Sequence, residues 1–329
     1  MPAPTVIPHK PGLARRPSGL QWSALLARAL NGDRVAYATV FLSAASILAI
    51  TALLVYELWI NSALSRHKFG LNFFITQTWD PIAGQFGALP FVYGTVVTSL
   101  LALGIAIPLG VGAAVFLAEL APPKFSDALT FLIELLAAVP SVIIGLIGIF
   151  VLVPVMQHVV PPLKSVLGFL PVFSGPFYGV SVLTAGVLLS MMVLPFIISV
   201  SREVLLAVPT DMREAALALG ATRWECTWQV VMPFARTGIL GSIFLALARA
   251  LGETMAVTMV IGNSPKIAAS LLAPGDSIAS VIANQFTEAT GDLYLNSLVE
   301  LGLVLFALTI VLNGAARLLI LVTTAKGTK

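Results

Sequence analysis

The chain is 329 residues long, 58% hydrophobic and only 10% charged, with a mean hydropathy of +0.99. Soluble domains carry roughly 25% charged residues, so these few charges cannot cover a water-facing surface, and lipid must solvate most of the molecule. A net charge of +3 is too small to mark a nucleic-acid-binding protein; the single cysteine, Cys226, excludes an intrachain disulfide and a cysteine metal cluster; and His9, His67 and His158 have no zinc-site spacing.

In chain order, residues 1–34 begin MPAPTVIPHKPGLARRPSG, basic and Pro-rich, without the apolar core and cleavage site of a secretory signal. They read as a flexible tail. Six apolar stretches follow, near 35–60, 92–118, 129–153, 179–201, 237–261 and 297–322. Each can cross ~30 Å of hydrocarbon, which takes about 20 residues. Lipid offers no partner to free backbone groups, so each is expected to be a helix. The fold class is an all-α polytopic membrane protein with six transmembrane helices: 35–91 the first helix and an outer loop, 92–322 the main transmembrane domain, 323–329 a short tail.

Pro108, Pro140 and Pro195 lie inside three of the stretches, and each is expected to kink or break its helix. Glu134, near the start of the third span, is read as stabilised by a helix N-terminus, with a contact to the later hairpin or a gate as the other reading. The 154–178 segment is rich in Pro and Gly and is expected to be irregular. In the last loop Pro274-Gly275 signals a turn, and Asp276 or Ser277 can cap a short helix at the outer surface.

The basic residues set an orientation. With the N-terminus in the cytoplasm, thirteen of the eighteen Lys and Arg fall on inside segments and four outside (Arg66, Lys68, Lys164, Lys266), with Arg249 left within the membrane. Both termini and the 202–236 segment are then cytoplasmic, in a multi-pass protein of the cell membrane.

That segment contains EAALALGATRWECTWQVVMP, from Glu214 to Pro233. Asp211 and Glu214 suit a helix start, and Gly220 suits the left-handed turn that ends it. Thr222 and Glu225 have capping-box spacing for a second helix. Trp224, Trp228 and Val231 fall on one face of it, and Pro233 stops or bends it. Two short helices joined at Gly220 result, a hairpin over 205–233. It can lie on the membrane with its tryptophans at the headgroups, or dock a soluble partner in a groove.

Within the fifth span, Arg249 and Glu253 are four residues apart and share a helical face with Gly238, Ser242, Ala246 and Ala256. Each charge costs at least ~2.5 kcal/mol at mid-bilayer. The two can neutralise each other, or they can serve a passing solute. Small residues beside them allow a close helix approach or leave room for that solute. A guanidinium fork suits a tetrahedral oxyanion. A carboxylate beside it repels a fully ionised anion but accepts a hydrogen bond from one that keeps an O–H, as phosphate does and sulfate does not. Arg249 and Glu253 are therefore the expected substrate-pathway residues.

Glu214-Ala215-Ala216, Gly220, Val230 and Met232-Pro233 resemble the cytoplasmic EAA motif of ABC-importer permeases, with Val and Met where that family has Ile and Leu. RALGETMAV around Arg249 and Glu253, together with IELLAAVPSVIIGL at 133–146 and PGDSIASVIANQF in the last loop, is similar to the phosphate-importer permeases of the PstC type, over roughly residues 90–322. The resemblance implies a type-I ABC importer permease (MetI-like) architecture. It implies that Glu214, Ala215, Ala216, Gly220, Trp224 and Pro233 couple the chain to a separate ATPase. It further implies a homologous PstA-type permease subunit, two copies of the ATP-binding subunit and an extracytoplasmic phosphate-binding protein.

No G-x-x-x-x-G-K-[ST] occurs, so ATP and Mg are expected on the partner subunit, with no cofactor in this chain and no enzyme activity of its own. A sulfate or molybdate permease and an ATPase-independent secondary transporter are the alternatives. Cys226 is expected to serve packing. A membrane-embedded enzyme finds no His cluster, G-x-S-x-G or paired aspartates in the spans.

Overall fold

A computed structural model describes residues 32–325. The expected tail up to residue 31, with His9, and residues 326–329 lie outside the described residues. Six helices are long and apolar enough to cross a membrane: Val35–Asn61, Leu89–Leu120, Ser141–Val166, Val182–Leu206, Arg223–Gly252 and Asp292–Leu318. By Cα packing the chain falls into two units, Met1–Glu57 and Leu58–Lys329.

In the first unit, residues 32–57 make up most of α1 (Gly32–Asn61). The hydroxyls of Thr39, Ser43 and Thr51 each donate to a carbonyl one turn back, at 2.7–2.9 Å, which spares the lipid from solvating them.

The second unit continues through α2 (Ala63–Phe69) and α3 (Asn72–Ile75) to α4 (Leu89–Val115). A π-helical turn at Phe116–Leu120 leads to α5 (Pro123–Ala137), and α6 (Ser141–Ile147) runs through a π turn at Gly148–Leu152 into α7 (Val153–Leu167). Then come α8 (Val182–Leu206), α9 (Thr210–Ala218) and α10 (Arg223–Cys226). A third π turn, Thr227–Val231, joins α10 to α11 (Met232–Gly252). Last are α12 (Met255–Ile261), α13 (Ile278–Gln285) and α14 (Asp292–Ala325).

The unit is built around α8, apolar on all sides: 72% of its apolar stretch is buried, against 22–39% for the other four spans of this unit. Glycines let neighbours come close. A Cβ on Gly186 of α8 would lie 2.4 Å from Leu101 of α4, and one on Gly238 of α11 would lie 2.4 Å from Val204 of α8. The middle of the core holds Ala106, Leu188, Val193, Ala246 and Val260. One end is an aromatic cluster of Phe73, Trp79, Phe86 and Phe91 against Ile278 and Leu298. The opposite end packs Val115, Leu205, Cys226 and Val231.

The expectations for the third span, for Glu134 and for the segment after it are corrected. Pro140 does break the chain, between α5 and α6, and it moves the third span from 129–153 to Ser141–Val166. Glu134 therefore sits exposed in the last turn of α5 and not at a helix N-terminus. The segment after residue 153, expected to be irregular, is helical to Leu167 and includes Pro161 and Pro162. Pro108 and Pro195 lie within helices that run on past them. Proline lacks an N–H and its ring crowds the carbonyl four residues back. Pro154 and Pro233 each lie two residues past the end of a π turn, where one extra residue widens the coil and relieves that crowding.

The predicted cap in the last loop is present: Ser277 Oγ accepts from the Ser280 N–H at 3.2 Å and opens α13. This helix buries Ile278 and Val281 in the aromatic cluster. Its start is pinned to α4, because the Ile278 N–H donates to Thr95 Oγ1 at 3.0 Å and the Asp276 carbonyl rests on Gly94. A Cβ on Gly94 would lie 1.8 Å from that oxygen, whereas one on Gly104 of the same helix would meet nothing within 4 Å. Gly94→Ala is therefore expected to destabilise the purified protein by more than about 2 kcal/mol, and Gly104→Ala to leave it unchanged or raise it by up to about 1 kcal/mol, read as thermal unfolding in detergent.

Asp276 is 3% exposed, and burial pushes its carboxyl up from an ordinary 3.8 to about 6, against the Ser280 and Ser277 hydrogen bonds that lower it. The folded chain holds this proton to a higher pH than the unfolded chain. Its contribution is thus full below about pH 4 and is lost as pH rises through 6, by up to roughly 3 kcal/mol. The difference in thermal stability between the wild type and Asp276→Asn should follow that window and be flat above it.

Candidate functional site

The polar stretch forms the hairpin its local signals require. Gly220 takes φ +91° after α9, and Thr222 and Glu225 complete a reciprocal capping box. Glu214, Ala215, Leu217 and Leu219 are exposed on α9 and its end, while Ala216 packs inward. Trp224 and Trp228 stack with centroids 5.9 Å apart, both exposed, and line an apolar groove with Pro108 and Phe116. Two details differ from expectation. The π turn at Thr227–Val231 shifts the helical phase, so Val231 turns into the core, away from the tryptophans. Pro233 does not stop the second helix, which runs on as one span from Arg223 to Gly252.

What fastens the hairpin was not visible in local spacing. Arg213, on α9, donates to the carbonyls of Leu205 and Val208 at the end of α8 and pairs with Glu119 at 2.9 Å on the π turn that ends the second span. Both side chains are largely buried, at 19% and 12% exposure. Cys226 is buried beside the Arg213 carbonyl, a packing position as expected. Arg202, the last basic residue of α8, binds Ser126 Oγ at 3.1 Å and Asp127 at 3.1 Å on α5. Arg213 thus joins the hairpin to the ends of the second and fourth spans, and Arg202 joins α8 to α5. Glu119 and Arg213 are charges at element ends, but 94 residues separate them and no sequence pattern joins them.

The two membrane charges are not on one helix. α11 ends at Gly252, Glu253 is extended (φ −71°, ψ 123°), and α12 restarts at Met255. Glycine weakens the helix here, Thr254 Oγ1 returns to the Gly252 carbonyl, and a Glu253 carboxylate oxygen accepts from the Ala256 N–H at 3.4 Å. The expected four-residue helical register is therefore broken, and among the described residues no ion pair joins Arg249 to Glu253. Arg249 instead lays its guanidinium 4.3 Å from the Phe196 ring centroid on α8, with Nε buried and, among the described residues, without a hydrogen-bond partner. Gly238 and Ser242 serve close helix approach: Ser242 shares a 2.8 Å hydrogen bond with Ser201 of α8. Ala256 faces Gly145 of α6. Phe196 was missed by sequence reading, because an apolar residue beside Pro195 carries no sign of a cationic neighbour.

The fold and the hairpin define a helical membrane transport component. Residues 106–321 match the family described as binding-protein-dependent transport system inner membrane component, and the chain belongs to that family. The chain is 44% identical over 294 residues to a phosphate transport system permease protein, PstC, of Mesorhizobium japonicum, covering 88% of this chain and 90% of that one. It is 49% identical over 257 residues to the PstC of Xylella fastidiosa, covering 77% and 79%. Among solved structures it resembles a bacterial ABC transporter involved in import of the polysaccharide alginate, at 16% identity and TM-score 0.57, covering 89% of this chain and 98% of that one. The type-I importer permease fold expected from the sequence is borne out, and the chain is a multi-pass membrane component of a transport system.

Removing one partner of a buried pair leaves the other uncompensated. Arg213→Gln is expected to cost about 3 kcal/mol in thermal stability, while Arg223→Gln, exposed on the same hairpin, stays within about 0.5 kcal/mol.

Proposed function

We propose that this chain is the transmembrane permease subunit of an ATP-driven phosphate importer and forms half of the translocation pathway. It works beside a homologous permease subunit of the PstA type, over two copies of an ATP-binding subunit and under an extracytoplasmic phosphate-binding protein. Both termini and the 205–233 hairpin lie in the cytoplasm, in keeping with the basic residues there. ATP and Mg belong to the ATPase, which seats the exposed face of Glu214, Ala215, Gly220 and Trp224, with Ala216 and Pro233 holding that face in shape. Its closure moves the hairpin, and Arg213 and Arg202 pass the motion to the spans.

The observation that carries the substrate reading is Arg249, whose Nε–H is buried and unmet by any acceptor among the described residues. A guanidinium in that state wants an acceptor, and an oxyanion matches both its donors and its charge. The break at Gly252–Thr254 turns Glu253 out of the helix, where it can accept the hydroxyl of a protonated phosphate and repel an anion without one. The 44–49% identity to phosphate permeases supports the same substrate.

The test is uptake into proteoliposomes carrying the whole importer and its binding protein. Arg249→Ala should lower phosphate transport and phosphate-stimulated ATP hydrolysis by about 10- to 100-fold, the loss of one or two charge-assisted hydrogen bonds, with basal hydrolysis retained. Glu253→Gln should lower phosphate transport as well. Normal phosphate uptake by both variants overturns the assignment, and uptake that persists without the ATPase favours a secondary transporter.

A further inference from the structure

The exposed carboxylate of Glu134 takes part in no ion pair among the described residues. Its surroundings make that costly. It lies in the last turn of α5, the negative end of the helix dipole, and its neighbours Phe131, Leu132, Leu135 and Leu136 are exposed apolar side chains. Two contacts set its depth. Asp127 of α5 pairs with Arg202 of α8 at 3.1 Å. Further along, a Cβ on Gly148 would lie 2.9 Å from Leu188 of α8. The α5–α6 segment therefore climbs as α8 descends. Glu134 follows Asp127 by seven of the twenty-one residues between these contacts, ~10 Å of helix, which brings it level with Ile197, next to Phe196. That level is well inside the span Val182–Leu206, where lipid does not accept an ionised carboxylate.

The side it faces follows from the helical register. Ser126 and Thr130 are buried, Ile133 and Ala137 partly so, and they mark the face that α5 turns to α8. At ~100° per residue, Asp127 and Glu134 share one flank of that face and Leu132 lies on the other. The Asp127 flank borders Glu203, because Arg202 reaches both carboxylates, at 3.1 and 3.4 Å. Glu203, Ser199 and Phe196 then form one strip up α8 at helical spacing, none of them fully buried. At its upper end Phe196 carries the guanidinium of Arg249. Glu134 and Arg249 thus border the same strip at the same depth, one on α5 and the other on α11.

We propose, resting on the reading that this chain passes phosphate, that Glu134 lines the pathway at the level of Arg249 and keeps the anion loosely held. Water in the pathway solvates the carboxylate that lipid would not. Arg249 draws the anion in, and the negative charge across the strip opposes its settling there, more strongly for a more highly charged anion. The charge of Glu134 therefore speeds release, and its removal lets the anion linger.

With Cys226 replaced by serine, Glu134→Cys in the intact importer should react with a charged, water-soluble thiol reagent during turnover, and phosphate should slow that reaction. Leu132→Cys, on the opposite flank, should show no protection by phosphate. Glu134→Gln should lower the maximal uptake rate about three- to tenfold, with Glu134→Asp restoring most of it, and phosphate should protect a Ser199→Cys thiol at about three- to tenfold lower concentration in the Glu134→Gln background. Should the Glu134 variants fail to assemble, Ser199→Cys alone decides, because a thiol there that never reacts means that the strip is closed to water. An unreactive Glu134→Cys, equal protection of Leu132→Cys, or unchanged uptake and unchanged protection in Glu134→Gln would each overturn the proposal. Loss of uptake in Arg249→Ala, with Glu134→Cys unprotected by phosphate, defeats this inference and leaves the importer reading standing.

Discussion

A guanidinium held within a membrane span, with a donor that no group among the described residues meets, is the constraint around which the rest of this molecule is arranged. Arg249 keeps its place because Phe196 gives it a π face and because α11 is locked to α8 by Gly238 and the Ser201–Ser242 pair. A flat aromatic face satisfies charge but not hydrogen-bond geometry. The remaining N–H donors can then be offered to a ligand that comes and goes. The break at Gly252–Thr254 takes Glu253 out of the helical register of Arg249, and no ion pair joins the two among the described residues.

The same logic of separated but fastened parts holds at the hairpin end. α9 and α10 expose Glu214, Ala215, Leu219 and the stacked tryptophans, a rigid face with few intramolecular obligations. Behind it, Arg213 ties α9 to the ends of the second and fourth spans, and Arg202 ties α8 to α5. The exposed face is thereby fastened to α8, the most buried of the spans, by hydrogen bonds from Arg213. α11 begins in the hairpin and ends at the break just after Arg249, so one continuous helix joins the hairpin to that arginine.

Signals confined to a few residues were legible in the sequence. The left-handed Gly220, the Thr222–Glu225 capping box and the Ser277 cap all form as their spacing requires, because each depends only on neighbours within a turn. Prolines misled, since their effect is decided by the turn before them: Pro154 and Pro233 enter helices through π turns, and Pro161-Pro162 did not prevent one. The break at Gly252 was hidden because apolar periodicity resumes at once in α12. Contacts such as Arg213–Glu119 and Arg249–Phe196 join distant segments, and only the packed helices reveal them.

Whether water and substrate reach Arg249 can be measured directly through its neighbour Thr254, half-buried at the helix break. With Cys226, the one native cysteine, replaced by serine, Thr254→Cys in the intact importer can be titrated with a water-soluble thiol reagent during turnover. If a phosphate oxyanion passes between Arg249 and Glu253, the introduced thiol reacts and phosphate slows that reaction several-fold while sulfate does not. A thiol that never reacts in the native complex, or one that reacts at the same rate with and without phosphate, would place the pathway elsewhere.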